Sequence, residues 1–179
     1  GFPESLVDIV SNAFVNNSGL VVFDADFGLA EGSTTQHAIW AYDSAGYRLI
    51  AHTRATAPGT DGAQYGRSMS CCGFNHAGDI AFTASLTALP GAARTTLFIA
   101  PAGYAPVRIA GPGDAAPGGG TLNGIQSLRL SASGEVLFQA RVDDRGGYGL
   151  FVGSASGGIR KIVVNGDARP GGGTFDLAS

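Results

Sequence analysis

Three stretches of this 179-residue sequence carry the same punctuation in the same order. Asn16-Asn17-Ser18-Gly19, followed by Phe23 and Ala25, returns as Asn75-His76-Ala77-Gly78 with Phe82 and Ala84. It returns again as Ser131-Ala132-Ser133-Gly134 with Phe138 and Ala140. The phenylalanine follows the glycine by four residues each time. Downstream lies an apolar segment, Ile39-Trp40-Ala41, Leu97-Phe98-Ile99 or Leu150-Phe151-Val152. A glycine-containing turn follows, and then Arg48-Leu49-Ile50-Ala51, Arg108-Ile109-Ala110 or Lys161-Ile162-Val163. Pro58-Gly59, Pro117-Gly118 and Pro170-Gly171 close the units, the prolines lying 59 and 53 residues apart. A chain that repeats at this period is an array of similar supersecondary units.

Each unit holds four short apolar segments separated by turn chemistry. Asn-x-x-Gly suits a tight hairpin, because Asn bonds its own backbone and Gly accepts positive φ. The segment after it alternates with period two: Val21, Phe23 and Ala25 point one way, as do Ile80, Phe82 and Ala84, and Val136, Phe138 and Ala140. Val22, Ala81 and Leu137 on the other face are apolar too, so these sheets are sandwiched between other sheets. Helical periodicity is absent. Four strands per unit at this period is the pattern of β-propeller blades. The expectation is an all-β, propeller-like array spanning residues 1–179, with blades at about 5–58, 64–117 and 123–170.

The Asn-x-x-Gly-x-x-x-Phe element, coupled to Gly-Asp-x-x-Pro-Gly-Gly-Gly-Thr at Gly113–Thr121 and Gly166–Thr174, resembles the bacterial tandem-repeat surface proteins that carry an NxxGxxAF repeat and variable C-terminal anchors. The resemblance covers nearly the whole chain. It implies a secreted or surface-anchored protein of propeller-like fold and brings no activity with it. Ser131 departs from the asparagine, and Arg54-Ala55 stands where the other units have Gly-Asp. A calcium or phosphate role for the Asp114 and Asp167 loops is weakened by that second departure, since one of three equivalent sites lacks the ligand.

Composition narrows function mainly by exclusion. Only 14% of residues are charged, lysine occurs once at Lys161, and the net charge is −3, so no basic patch for nucleic acid or an anionic membrane exists. Apolar runs such as Leu20–Phe23 are of strand length, far short of a membrane-spanning helix. The chain opens on Gly1 rather than Met, which we read as processing, with any targeting segment outside this stretch.

In a propeller the loops joining strands two to three and four to one emerge together, at the usual binding end. That places Asp26, Glu31, Asp61, Arg94, Asp114, Asp143, Asp144, Arg145 and Asp167 on one rim, mostly as solvated or turn-stabilising charges. If Tyr42 and Tyr47 pair across the Asp43–Gly46 turn, His37 falls opposite His52, two imidazoles able to hold a metal with a third ligand. His76 lies in the Asn-x-x-Gly turn at the other end, so no Ser-His-Asp set assembles. Cys71 and Cys72 are adjacent, which excludes an ordinary disulfide framework and a CxxC metal site. Two readings stay open: a pair of buried small hydrophobes, or a strained vicinal disulfide. Some quinone-dependent propeller dehydrogenases carry such a disulfide, but their tryptophan-rich docking motifs are missing, Trp40 being the only tryptophan.

No cofactor is implied. The leading expectation is a noncatalytic extracellular scaffold or binding module that takes a glycan or protein ligand on its loops. The alternatives are part of a propeller enzyme, such as a polysaccharide lyase or hydrolase with its catalytic residues on other blades, and a repeat that polymerises in a surface layer. Three blades leave two apolar sheet faces open, and Phe175–Ser179 read as the start of a further first strand. The expected partner is therefore the remaining blades of a larger protein or a second copy of the chain.

Overall fold

A computed structural model describes residues 6–28, 36–87 and 95–177, and every regular element among them is a strand. The first sheet contains β1 (Leu6–Val15), β2 (Val21–Gly28), β3 (Gln36–Asp43) and β4 (Gly46–His52). The second contains β5 (Tyr65–Phe74), β6 (Ile80–Leu86), β7 (Thr96–Ala100) and β8 (Val107–Ala110). The third contains β9 (Thr121–Leu130), β10 (Glu135–Asp143), β11 (Gly147–Ser154) and β12 (Gly158–Val164). Each is a four-stranded antiparallel meander in sequence order, so the three repeats are three blade-like sheets.

Register makes the equivalence of the units concrete. Phe23 pairs with Trp40, Phe82 with Phe98 and Phe138 with Phe151, so each repeat phenylalanine sits beside an aromatic on the third strand. In the second and third sheets those rings stack, with centroids 5.3 and 5.6 Å apart. The fourth strand carries a bulge at the same place in all three units, leaving Ile50, Ile109 and Ile162 as the extra residue.

That bulge corrects one expectation. Tyr42 does pair with Tyr47, but beyond Ile50 the register moves by one, and His52 lies opposite Ala38. His37 instead pairs with Asp26 on the second strand. A constant register was assumed; the bulge removes it.

The sheets stack in sequence order. The Phe-bearing face of the second sheet packs on the Val22–Ile39–Ala41 face of the first, burying Ile80, Phe82 and Ala84. The Phe-bearing face of the third packs likewise on Ala81, Leu97 and Ile99 of the second. Burial therefore departs from equivalence at one end: Phe82 and Phe138 are fully buried, whereas Phe23 is half-buried, because its face looks away from the second sheet. The sequence pattern marks which residues share a face but not which sheets have neighbours on both sides.

Candidate functional site

The loops from the fourth strand of one unit to the next first strand share a single backbone frame. Gly113 N–H donates to Leu122 O at 2.9 Å and Leu122 N–H to Asp114 O at 2.8 Å. Gly166 and Asp167 pair with Phe175, and Arg54 and Ala55 with Tyr65, in the same way, all at 2.9 Å. The first residue of each frame has positive φ, +91° at Gly113, +83° at Gly166 and +71° at Arg54. Glycine takes this conformation without penalty, while Arg54 holds it at some steric cost.

The aspartates of these loops are tied inward. One oxygen of Asp114 accepts from Arg108 at 2.9 Å and the other from the Gly111 amide at 2.8 Å. Asp167 repeats this with Lys161 at 3.1 Å and the Val164 amide at 2.9 Å. The lysine hydrogen bond, followed by the Val164 amide, lowers the Asp167 pKa below its ordinary 3.8. Ala55 has no carboxylate, and in its loop the Thr60 hydroxyl donates to Ala57 O at 2.6 Å.

The strand two-to-three turn of the third sheet stands at the same end and clasps these loops. Both oxygens of Asp143 accept from Asn123 Nδ2, at 2.8 and 2.6 Å. Arg145 donates to Gly118 O, and its own carbonyl accepts from Asn165 Nδ2 at 2.9 Å. Asp61 and Asp144 are exposed, the latter with φ +70°. Glu31 and Arg94 lie outside the described residues. Of the expected rim, then, Asp114, Asp143, Arg145 and Asp167 stabilise loops, and Asp61 and Asp144 face solvent.

Asp26 belongs to a cluster that sequence reasoning missed. Its Oδ1 lies 2.6 Å from His37 Nδ1, while His37 Nε2 faces Asp24 Oδ2 at 3.8 Å. Asp24 is 2% exposed and accepts from Asn12 Nδ2 at 3.0 Å. Its other oxygen and His37 Nε2 are buried without a hydrogen-bond partner among the described residues. A carboxylate that fixes one imidazole nitrogen leaves the other aimed, as a general base requires. Here the aimed nitrogen points at a second carboxylate in the interior, so the set ties β2 to β3. Its signal was Asp24-Ala25-Asp26, two carboxylates where the other second strands carry Thr83 and Ser85, or Gln139 and Arg141. Among the described residues no group of three His, Cys, Asp or Glu side chains is arranged to hold a metal.

Cys71 is buried between the first and second sheets, packed as a small apolar side chain. Cys72 is the extra residue of a bulge between Cys71 and Gly73, and its side chain lies outside the description.

At the opposite end the repeat asparagines link one unit to the next. Asn16 Nδ2 donates to Asn75 O at 2.9 Å, and Asn75 Nδ2 to Ser131 O at 3.0 Å. Their side-chain oxygens meanwhile cap their own turns, accepting from Leu20 at 3.1 Å and Asp79 at 3.0 Å. Ser131 caps its turn through Oγ, which accepts from Glu135 at 3.0 Å, but has no amide to pass on.

No helix among the described residues is long and apolar enough to cross a membrane. No curated protein and no solved structure matches the chain. One family model does, over residues 7–178, and with nearly all of the three-sheet array inside that match the chain belongs to DUF7453, a family of unknown function.

Proposed function

We propose that this chain is a noncatalytic extracellular or cell-surface β-propeller scaffold, which binds a glycan or protein ligand at the end where the four-to-one and two-to-three loops meet. The observation that carries this reading is the common frame of the three four-to-one loops, alike in backbone hydrogen bonding and variable in side chains. Arg54-Ala55 replaces Gly-Asp in the first, and two additional residues lengthen it before Tyr65. Repeat scaffolds place varied, solvent-facing groups on a constant support in this way. The charges that hold the frame are committed to it, which leaves exposed groups such as Asp61 and Asp144 to meet a ligand. The likeness to NxxGxxAF surface proteins supports the extracellular placement.

A glycan and extracellular-protein binding array, run on the whole chain and on a D61A/D144A variant, tests the reading. Binding that the variant loses supports it. Binding that survives there but is lost on changing the Asn-x-x-Gly end would refute the site, and cleavage of a bound polysaccharide would replace it with the enzyme alternative.

A further inference from the structure

We propose that the faces of the first and third sheets that no other described sheet covers are two halves of one seam, filled by a second copy of this chain in a head-to-tail contact. The inference rests on the propeller part of the reading above and not on its ligand. Inside the chain two junctions follow one rule, the Phe-bearing face of each sheet seating on the opposite face of the sheet before it. Phe14 meets Phe74 at the first junction, with ring centroids 6.4 Å apart, and Gly73 meets Leu130 at the second. The first sheet's own Phe-bearing face, near its Asn-x-x-Gly end, presents half-buried Trp40, and Tyr42 and Tyr47 exposed by 43% and 73%. The two tyrosine rings lie 4.6 Å apart. At the same end of the third sheet, the opposite face exposes Leu137 and Ile162.

These two faces depart from the internal junctions in matching ways. By register Tyr42 stands where the other sheets have Ala100 and Gly153. A Cβ on Gly153 would come within 2.5 Å of Ile109 Cγ2, so the internal junction has no room for a side chain there. A preceding sheet therefore could not seat on Tyr42 at the internal spacing, and the third sheet, which has Ile162 at the Ile109 position, must seat there with a wider gap. The third sheet supplies the counterpart: Arg129 and Arg160 replace Gly73 and Val107, and a groove of about 340 Å³ opens beside Leu137 and Val152. Extra aromatic bulk on one face answers a groove on the other, and guanidinium groups answer π faces, a favourable pairing when desolvated. The asparagine ladder also stops at Ser131, so the next contact is not a further copy of the internal one. Two such contacts about a twofold axis close a ring of six sheets, within the four to eight blades of natural propellers.

Light scattering coupled to size exclusion over a concentration series tests the seam. The expected result is a particle of twice the 18.0 kDa chain mass, which Y42A/Y47A and, separately, R160E convert to single chains. Both variants change exposed side chains, and unchanged circular dichroism and cooperative unfolding show that the fold is kept. A wild-type chain that stays monomeric at every concentration overturns the proposal, since the faces would then be open or covered by something else. So does a dimer that both variants leave intact, or an open polymer that grows with concentration. Absence of any glycan or protein binding by the wild-type dimer would count against the functional reading alone and leave the seam standing.

Discussion

Replacing Tyr65 with phenylalanine should stabilise this protein. Tyr65 begins β5, is only 3% exposed, and packs its ring edge-on to Phe98 at 5.1 Å and beside Phe82 at 6.0 Å. Its hydroxyl is buried with no hydrogen-bond partner among the described residues. An unpaired buried hydroxyl costs about 1–3 kcal/mol, and removing it leaves a void smaller than a methyl group, so Tyr65→Phe should gain about 1 kcal/mol at neutral pH. The equivalent positions in the other loop frames are already apolar, Leu122 and Phe175. Alkaline pH supplies an independent readout. Burial raises the Tyr65 pKa far above its ordinary 10.0. The neutral phenol is thus fully compatible with folding below that value. Above it the unfolded chain releases a proton that the folded chain keeps, and stability falls with rising pH by up to about 1.4 kcal/mol per unit. Tyr65→Phe lacks this loss, so its advantage over the wild type should widen steadily above pH 10.0. Urea unfolding followed by the fluorescence of Trp40, the only tryptophan, measures both effects. A variant less stable than wild type at neutral pH, or a difference that stays flat into the alkaline range, would refute the assignment of an unpartnered hydroxyl.

Other perturbations separate effects that the repeat would otherwise merge. Phe138→Ala and Phe82→Ala should each cost about 3–5 kcal/mol, and Phe23→Ala clearly less because its face is half open; equal losses in chemical denaturation would contradict the stacking order. Asn75→Ser keeps the turn cap that Ser131 shows a hydroxyl can provide, and removes the Nδ2 bonds to Ser131 O and to Asp79 Oδ2, for a loss of about 1 kcal/mol or more; no change would mean the ladder adds nothing. The Asp167 pKa is lowered in the folded state, so its contribution is present above the ordinary 3.8 and disappears as pH falls through and below it. The Val164 amide resonance should report that transition in wild type and not in Asp167→Asn.

The sequence by itself determined the parts of this protein that local chemistry decides. Asn-x-x-Gly turns, period-two alternation and the Pro-Gly loops each act within a few residues, and together they set twelve strands in three equivalent sheets. The pairing of Phe23, Phe82 and Phe138 with third-strand aromatics follows from that arithmetic. Tertiary structure decided what depends on distant neighbours. The bulge at Ile50 moved His52 away from His37, because one unpaired residue shifts every partner beyond it without marking the sequence. Asp26, expected among the rim charges, also holds His37 beside buried Asp24, a contact between strands joined by residues 29–35. The same asparagine that signals a hairpin also spends its amide on the next unit, and only the stacking of whole sheets brings that carbonyl within 3.0 Å. Burial divided the equivalent phenylalanines for the same reason: alternation tells a side chain which face it shares, and only the presence of another sheet on that face takes it out of water.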